Sequence, residues 1–233
     1  MSDTQSTDAS NRCRLVLIMD GATTRGADAA LVERMGQAGD IASIIFTGDG
    51  LEEPVWQAAL EPLVAAAQAR NIACIIDTNS RIAGRVKADG LQLGQDPQQI
   101  EEAVEKYTPQ MMVGAANVKT RHNALVLGEL QPDYVMFGKP GGDTRPEPHP
   151  KNLDLGQWWA AMVEIPGIVL GGTRVDSVVD VAKTGTDFVA LGAAIFVPQE
   201  ESNEVHDPAA LVARANALLD ANAPRFDSLD ETV

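Results

Sequence analysis

The stretch GIVLGGTRVDSVVDVAKTGTDFVALGAAIF, residues 167–196, contains one full period of the chain's organisation. Gly167 to Gly171 is a short apolar run, residues 175–185 carry a helical pattern, and residues 187–192 form a second apolar run that again ends in glycine. Strands that are apolar on both faces belong to parallel sheets covered by helices. The same period runs outward from this stretch. Strands are expected at 15–19, 42–47, 72–77, 90–94, 111–115 and 133–138, followed by the two just quoted. Helical patterns lie at 27–39, 54–70, 80–87, 98–107, 119–130, 153–163, 175–185 and 208–221. Eight evenly spaced βα units predict an α/β fold closed into a TIM (β/α)8 barrel, because an open doubly wound sheet rarely needs so many.

The bulk properties fit one such domain. The chain has 233 residues, 45% of them hydrophobic, which is enough to bury a sizeable core. The barrel is expected over residues 13–221, after a disordered polar segment, MSDTQSTDASNR (1–12), and before an acidic C-terminal tail (222–233). No apolar run approaches the roughly 20 residues needed to span a bilayer, and no signal-peptide core follows the polar start, so a cytoplasmic location is expected. A net charge of -15 repels nucleic acid and anionic membranes, so neither is an expected partner and any anionic ligand needs a local site. A homo-oligomer stays open. Cys13 and Cys74 are far apart in sequence, and Cys74 within NIACIID reads as core.

In a barrel, reactive groups sit at the carboxyl ends of the strands. The candidates are therefore Thr47-Gly48-Asp49, Asp77-Thr78-Asn79, Gln95-Asp96, Ala116-Asn117, Gly138-Lys139, Gly171-Gly172-Thr173 and Gly192-Ala193. Glycines after strands seven and eight let backbone N–H groups approach a ligand, so Gly171, Gly172, Thr173, Gly192 and Ala193 are expected to cradle a phosphate without basic side chains. Asp77 is either a base or a helix N-cap, and Lys139 either serves an anion or proton transfer or is a solvated loop lysine. Gln95-Asp96 puts an amide and a carboxylate side by side just before a helix, either as a catalytic pair or only as a turn. His122 and His149 read as surface residues. Residues 139–152, KPGGDTRPEPHPKN, are too proline-rich for regular structure and should lie over the carboxyl end of the barrel. No Cys/His spacing suits zinc, and no Ser/His/Asp order suggests a nucleophile.

With the strand ends placed, the sequence resembles the thiamine phosphate synthase family, which includes related thiazole tautomerases. KADGLQLGQD, DYVMFG and IVLGGTRVDSVVDVAKTGTDFVALGAAIF carry the resemblance, which spans about residues 14–198. It implies a transferase of thiamine biosynthesis, a thiamine-phosphate diphosphorylase. Hydroxymethylpyrimidine diphosphate loses diphosphate, and the ring nitrogen of hydroxyethylthiazole phosphate attacks the cationic methylene. It also implies Mg²⁺ and basic side chains to meet the charge on the leaving group, and a small phosphorylated thiamine precursor as ligand.

Against that pattern the chain departs at named places. Gln92 replaces the usual histidine. Ile45-Phe46-Thr47-Gly48-Asp49 stands where the family has Q-F-R-E-K, and Asp77-Thr78 where it has N-D. Pro97 replaces a metal-ligand Asp, Ala116 precedes Asn117 where a serine is usual, and Lys139 sits where tautomerases carry a histidine, so the resemblance implies Gln95 and Asn117 as substrate contacts and leaves Asp96 as a metal ligand or an N-cap. The expectation is a thiamine phosphate synthase-like protein degenerate at its diphosphate and Mg²⁺ side. The alternatives are a thiazole phosphate tautomerase-like isomerase and a non-catalytic phosphate-binding protein.

Overall fold

The computed structural model describes residues 11–198 and 206–226. Eight parallel strands close into a barrel in sequential order: β1 (Arg14–Met19), β2 (Ser43–Phe46), β3 (Ala73–Asp77), β4 (Gly90–Leu93), β5 (Met112–Ala115), β6 (Tyr134–Phe137), β7 (Gly167–Leu170) and β8 (Phe188–Leu191). Closure is made by β1 on β8, with Arg14 opposite Phe188 and Leu17 opposite Leu191. The expected TIM barrel is the fold, and each expected strand coincides with an observed one to within a residue or two at its ends.

Side-chain parity divides the core into two. Val16, Ile18, Ile45, Ile75, Tyr134, Met136, Ile168, Leu170 and Ala190 fill the barrel interior. Leu15, Leu17, Met19, Ile44, Phe46, Ile76, Phe137 and Leu191 pack outward under the helices. Successive side chains of a strand point to opposite faces, so a continuous apolar run serves both layers.

The helices are α1 (Gly21–Gly26), α2 (Ala29–Ala38), α3 (Glu53–Gln68), α4 (Ser80–Val86), α5 (Pro97–Tyr107), α6 (Arg121–Glu129), α7 (Pro150–Met162), α8 (Val178–Ala182), α9 (Ala193–Phe196) and α10 (Pro208–Asn222). Side-chain oxygens of Asp20, Asp28, Asn79, Asp96, Thr120 and Asp207 accept from N–H groups in the first turns of their helices. Each satisfies a donor that the helix itself leaves unpaired. Proline opens α5, α7 and α10 at positions where its missing N–H costs nothing. For that reason α7 starts at Pro150, capped by His149, and residues 150–152 are helical although the proline-rich stretch reads as irregular in sequence.

A repeated aspartate pins the strands in pairs. Asp89, Asp133 and Asp187 each lie just before an even-numbered strand. Their carboxylates accept from the N–H of Cys74 (2.8 Å), Val113 (2.7 Å) and Gly167 (2.8 Å) at the start of the strand before. A one-residue slip would break these bonds and turn each strand's core face outward.

The described fold is slightly wider than the expected 13–221. Arg12 is buried, donating to Asp220 Oδ1 at 2.7 Å and Asn216 Oδ1 at 3.0 Å, which docks α10 beneath β1. Residue 12 also bridges to Arg225. The rest of the expected N-terminal segment, residues 1–10, and of the tail, residues 227–233, lies outside the described residues. Among the described residues no helix is long and apolar enough to cross a membrane.

Candidate active site

All the strand-end candidates lie at one rim, because every strand runs the same way and closure brings their carboxyl ends together. The rim has two unlike sides.

On the β2–β3 side, Gly48, Asp49, Glu53, Trp56, Asp77, Thr78 and Asn79 line a cavity of about 250 Å³. Asp49 accepts from Thr47 Oγ1 at 3.2 Å, and Glu53 accepts from Asn79 Nδ2 at 3.0 Å and from Arg81 at 3.2 Å. Asp77 points inward and accepts from Gln92 Nε2 at 2.8 Å, while Gln92 Oε1 accepts from Tyr134 O–H at 3.1 Å. This chain of bonds crosses β6, β4 and β3 from the barrel centre to the rim. It fits because β5 presents Gly114 opposite Tyr134, where any Cβ would collide with the ring. Burial pushes the Asp77 carboxyl above its ordinary value, the Gln92 hydrogen bond pulls it back, and the Asp49 charge adds to the rise. Thr78, next along, has φ +59, a left-handed conformation rare for a β-branched residue.

Next around the rim, Asp96 caps α5. Its Oδ1 accepts from Gln98 N–H at 3.1 Å and its Oδ2 from Gln99 Nε2 at 3.0 Å. Gln95 Oε1 accepts from Asn123 Nδ2 at 2.9 Å, which ties it to α6. Asn117 takes φ +61, and its N–H donates to Gly138 O at 2.8 Å. Lys139 is exposed at the start of the loop after β6.

On the β7–β8 side the expected cradle residues do come together, and their amides already have partners within the chain. Gly171 N–H donates to Ala190 O in the sheet at 2.9 Å, and Gly172 N–H to Ser177 Oγ at 2.9 Å. Thr173 N–H donates to Arg145 O at 2.7 Å, and Ala193 N–H to Asp143 Oδ2 at 2.6 Å. The Asp143 carboxyl is pushed up by burial, drawn back by the Ala193, Asp143 and Gly192 amides, and pushed up again by the charge on Asp20. Arg174 turns away to Asp176 at 3.3 Å.

A family model described as thiamine monophosphate synthase matches residues 15–195, which takes in all eight strands but the first residue of β1, and both sides of this rim. The chain belongs to that family. Two curated thiamine-phosphate synthases are similar over most of their length. That of Rhodospirillum centenum is 32% identical, covering 89% of this chain and 98% of its own, and that of Erythrobacter litoralis is 31% identical, covering 76% and 86%. Among solved structures, thiamine phosphate pyrophosphorylase from Pyrococcus furiosus superposes with TM-score 0.73 at 21% identity, covering 92% of this chain and 99% of that one. A 3-hexulose-6-phosphate synthase superposes with TM-score 0.61 at 18% identity, covering 91% and 100%. These two likenesses establish the barrel and no more.

Within the thiamine monophosphate synthase family frame, two participants escape a reading of strand ends alone. Tyr134 lies at the start of a strand and joins the site only through Gln92. The signal for it is the inward parity it shares with Gly114 across β5 and β6. Asp143 lies in the proline-rich loop, which the sequence places over the rim without singling out that carboxylate.

Proposed function

We propose that this chain is a thiamine phosphate synthase-like protein that binds a phosphorylated thiamine precursor, of the hydroxyethylthiazole phosphate type, through the backbone amides after β7 and β8. We further propose that it is degenerate on the diphosphate side. One observation carries this reading: the two sides of the rim differ in chemistry. On the β7–β8 side the N–H groups of Gly172, Thr173 and Ala193 converge beside glycine backbone, held in the free chain by Ser177, Arg145 and Asp143, and a phosphate that displaces those acceptors suits them in an acidic protein. The β2–β3 side presents Asp49, Glu53 and Asp77 around its cavity.

The family reaction asks that second side to hold a departing diphosphate. Two unit charges about 4 Å apart in a partly desolvated site interact by about 4 kcal/mol. Carboxylates there oppose the leaving group, less strongly where they face solvent as Asp49 does or pair with Arg81 as Glu53 does, whereas arginine and lysine would favour it. Magnesium, which the family implies, does not fit the donors present. Both oxygens of Asp96 serve the start of α5, Asp77 Oδ1 is held by Gln92, and among the described residues no group of three carboxylates, imidazoles or thiolates converges.

A second reading, proton transfer on a bound thiazole phosphate, is favoured by Asp77. Its carboxyl is pushed above its ordinary value by burial and aimed by Gln92, as suits a general acid or base. Lys139, exposed across the rim, is the other candidate for that role. Calorimetric titration with hydroxyethylthiazole phosphate in the absence of Mg²⁺ tests the main reading. Binding that disappears in Ala193→Pro, which deletes one cradle N–H at a first helical position tolerant of proline, supports it. Failure of the natural chain to bind overturns it.

A further inference from the structure

The loop after β6 is built to reach across the rim. Lys139-Pro140-Gly141-Gly142 forms a tight turn in which Gly142 N–H donates to Lys139 O at 2.9 Å and Gly141 takes φ +70. Proline followed by a left-handed glycine is the signature of a type II turn. The chain then doubles back over β7 and β8, and three successive parts of it engage the cradle. The Asp143 carboxylate accepts from Ala193 N–H, the Arg145 carbonyl accepts from Thr173 N–H, and the Pro146 carbonyl sits so close to Gly172 that any Cβ there would strike it. Asp143 is buried although the residues around it, Gly142, Thr144 and Arg145, are exposed. A buried carboxylate held on backbone amides presents the same chemistry to those amides as a ligand phosphate: anionic oxygen accepting N–H.

We propose that Asp143 decides which anions the cradle accepts. Its carboxylate holds the β8 amides in the free protein, and a phosphate or phosphomonoester binds by displacing it together with the 143–146 strap. This rests on the cradle being the phosphate site proposed above. Phosphate and Asp143 compete for the same donors and repel each other, so the strap lowers affinity for every phosphate by a common factor. Only a ligand whose remaining part gains contacts elsewhere on the rim overcomes it. Free inorganic phosphate is thereby rejected.

The test is calorimetric titration of inorganic phosphate into the full-length protein and three variants: Asp143→Ala, Asp143→Asn and the double variant Asp143→Ala/Ala193→Pro. Asparagine keeps the shape and an acceptor oxygen, so it guards against a folding defect in the alanine variant. The natural chain is expected to bind weakly. Both single variants should bind about tenfold tighter or more, the scale of one hydrogen bond to a charged group, and Ala193→Pro should cancel that gain. Loosening a merely structural loop would not raise affinity. Equal affinity in the natural chain and the single variants, lost with Ala193→Pro, would overturn the role of Asp143 while leaving the cradle in place. A gain that survives Ala193→Pro would place phosphate elsewhere and also overturn it. No binding by any variant would remove the cradle itself, and the proposed function with it.

Discussion

Gln92 Nε2 donates a 2.8 Å hydrogen bond to Asp77 Oδ1, so an uncharged, fully buried amide orients a carboxylate whose burial favours its protonated form. The amide is itself fixed from behind by Tyr134. Asp77 thus sits at the rim end of a polar path that runs from Tyr134 through Gln92.

Asp77→Asn separates stability from chemistry. The folded-state carboxyl is raised above its ordinary value of 3.8, so folding favours the protonated form. Stability of the natural chain relative to the asparagine variant is therefore unaffected below that value. It should fall as pH rises from there through the raised folded pKa, and stay lower above it. Denaturant unfolding from pH 3 to pH 8 should show the variant gaining over the natural chain with rising pH. Any proton transfer on a bound thiazole phosphate should meanwhile slow by about a hundredfold or more. A difference in stability that runs the other way with pH would contradict the assigned burial.

The three strand-start aspartates should cost stability without touching the rim. Asp89→Ala, Asp133→Ala and Asp187→Ala each strip a backbone N–H of its acceptor, an expected loss of about 1–3 kcal/mol apiece. Urea midpoints should fall with each substitution while affinity for a phosphorylated thiazole is unchanged. A loss of affinity at constant stability would mean that these residues act on the site.

The strands were legible because burial on both faces leaves short, unbroken apolar runs bounded by glycine and aspartate. What escaped was local or long-range in origin. GATTRG, residues 21–26, has no apolar period and two glycines, yet forms α1 because the Asp20 side chain accepts from Thr23 N–H and nucleates the turn. α9 is four residues long, too short for any periodicity. Position along the chain was enough to bring Asp77, Gln95, Asn117, Lys139 and the glycines to one rim. Their partners were not legible: Gln92 meets Tyr134 across 42 residues and Asp143 meets Ala193 across 50, contacts set by barrel closure and loop path. Asp96, read as ligand or cap, is engaged as a cap.

Reversing one charge on the β2–β3 side should be felt by a diphosphate. Asp49 is exposed, so Asp49→Lys is tolerated, whereas an arginine at buried Thr47 would disturb the strand end. Affinity for inorganic diphosphate should rise by about fivefold at low salt and lose that gain at high salt, as expected for a solvent-facing charge. An unchanged affinity in titration calorimetry would show that diphosphate does not approach this side.

The proposed function requires a rim that keeps a phosphate cradle and lacks the means to stabilise a diphosphate leaving group. Thiamine phosphate formation by the natural chain, measured with hydroxymethylpyrimidine diphosphate, hydroxyethylthiazole phosphate and saturating Mg²⁺, tests it most directly. The expected result is formation no faster than the uncatalysed mixture, with no response to Mg²⁺. Robust Mg²⁺-dependent synthesis would contradict the claim and show that Thr47, Asp49, Thr78 and Pro97 leave the family's reaction intact.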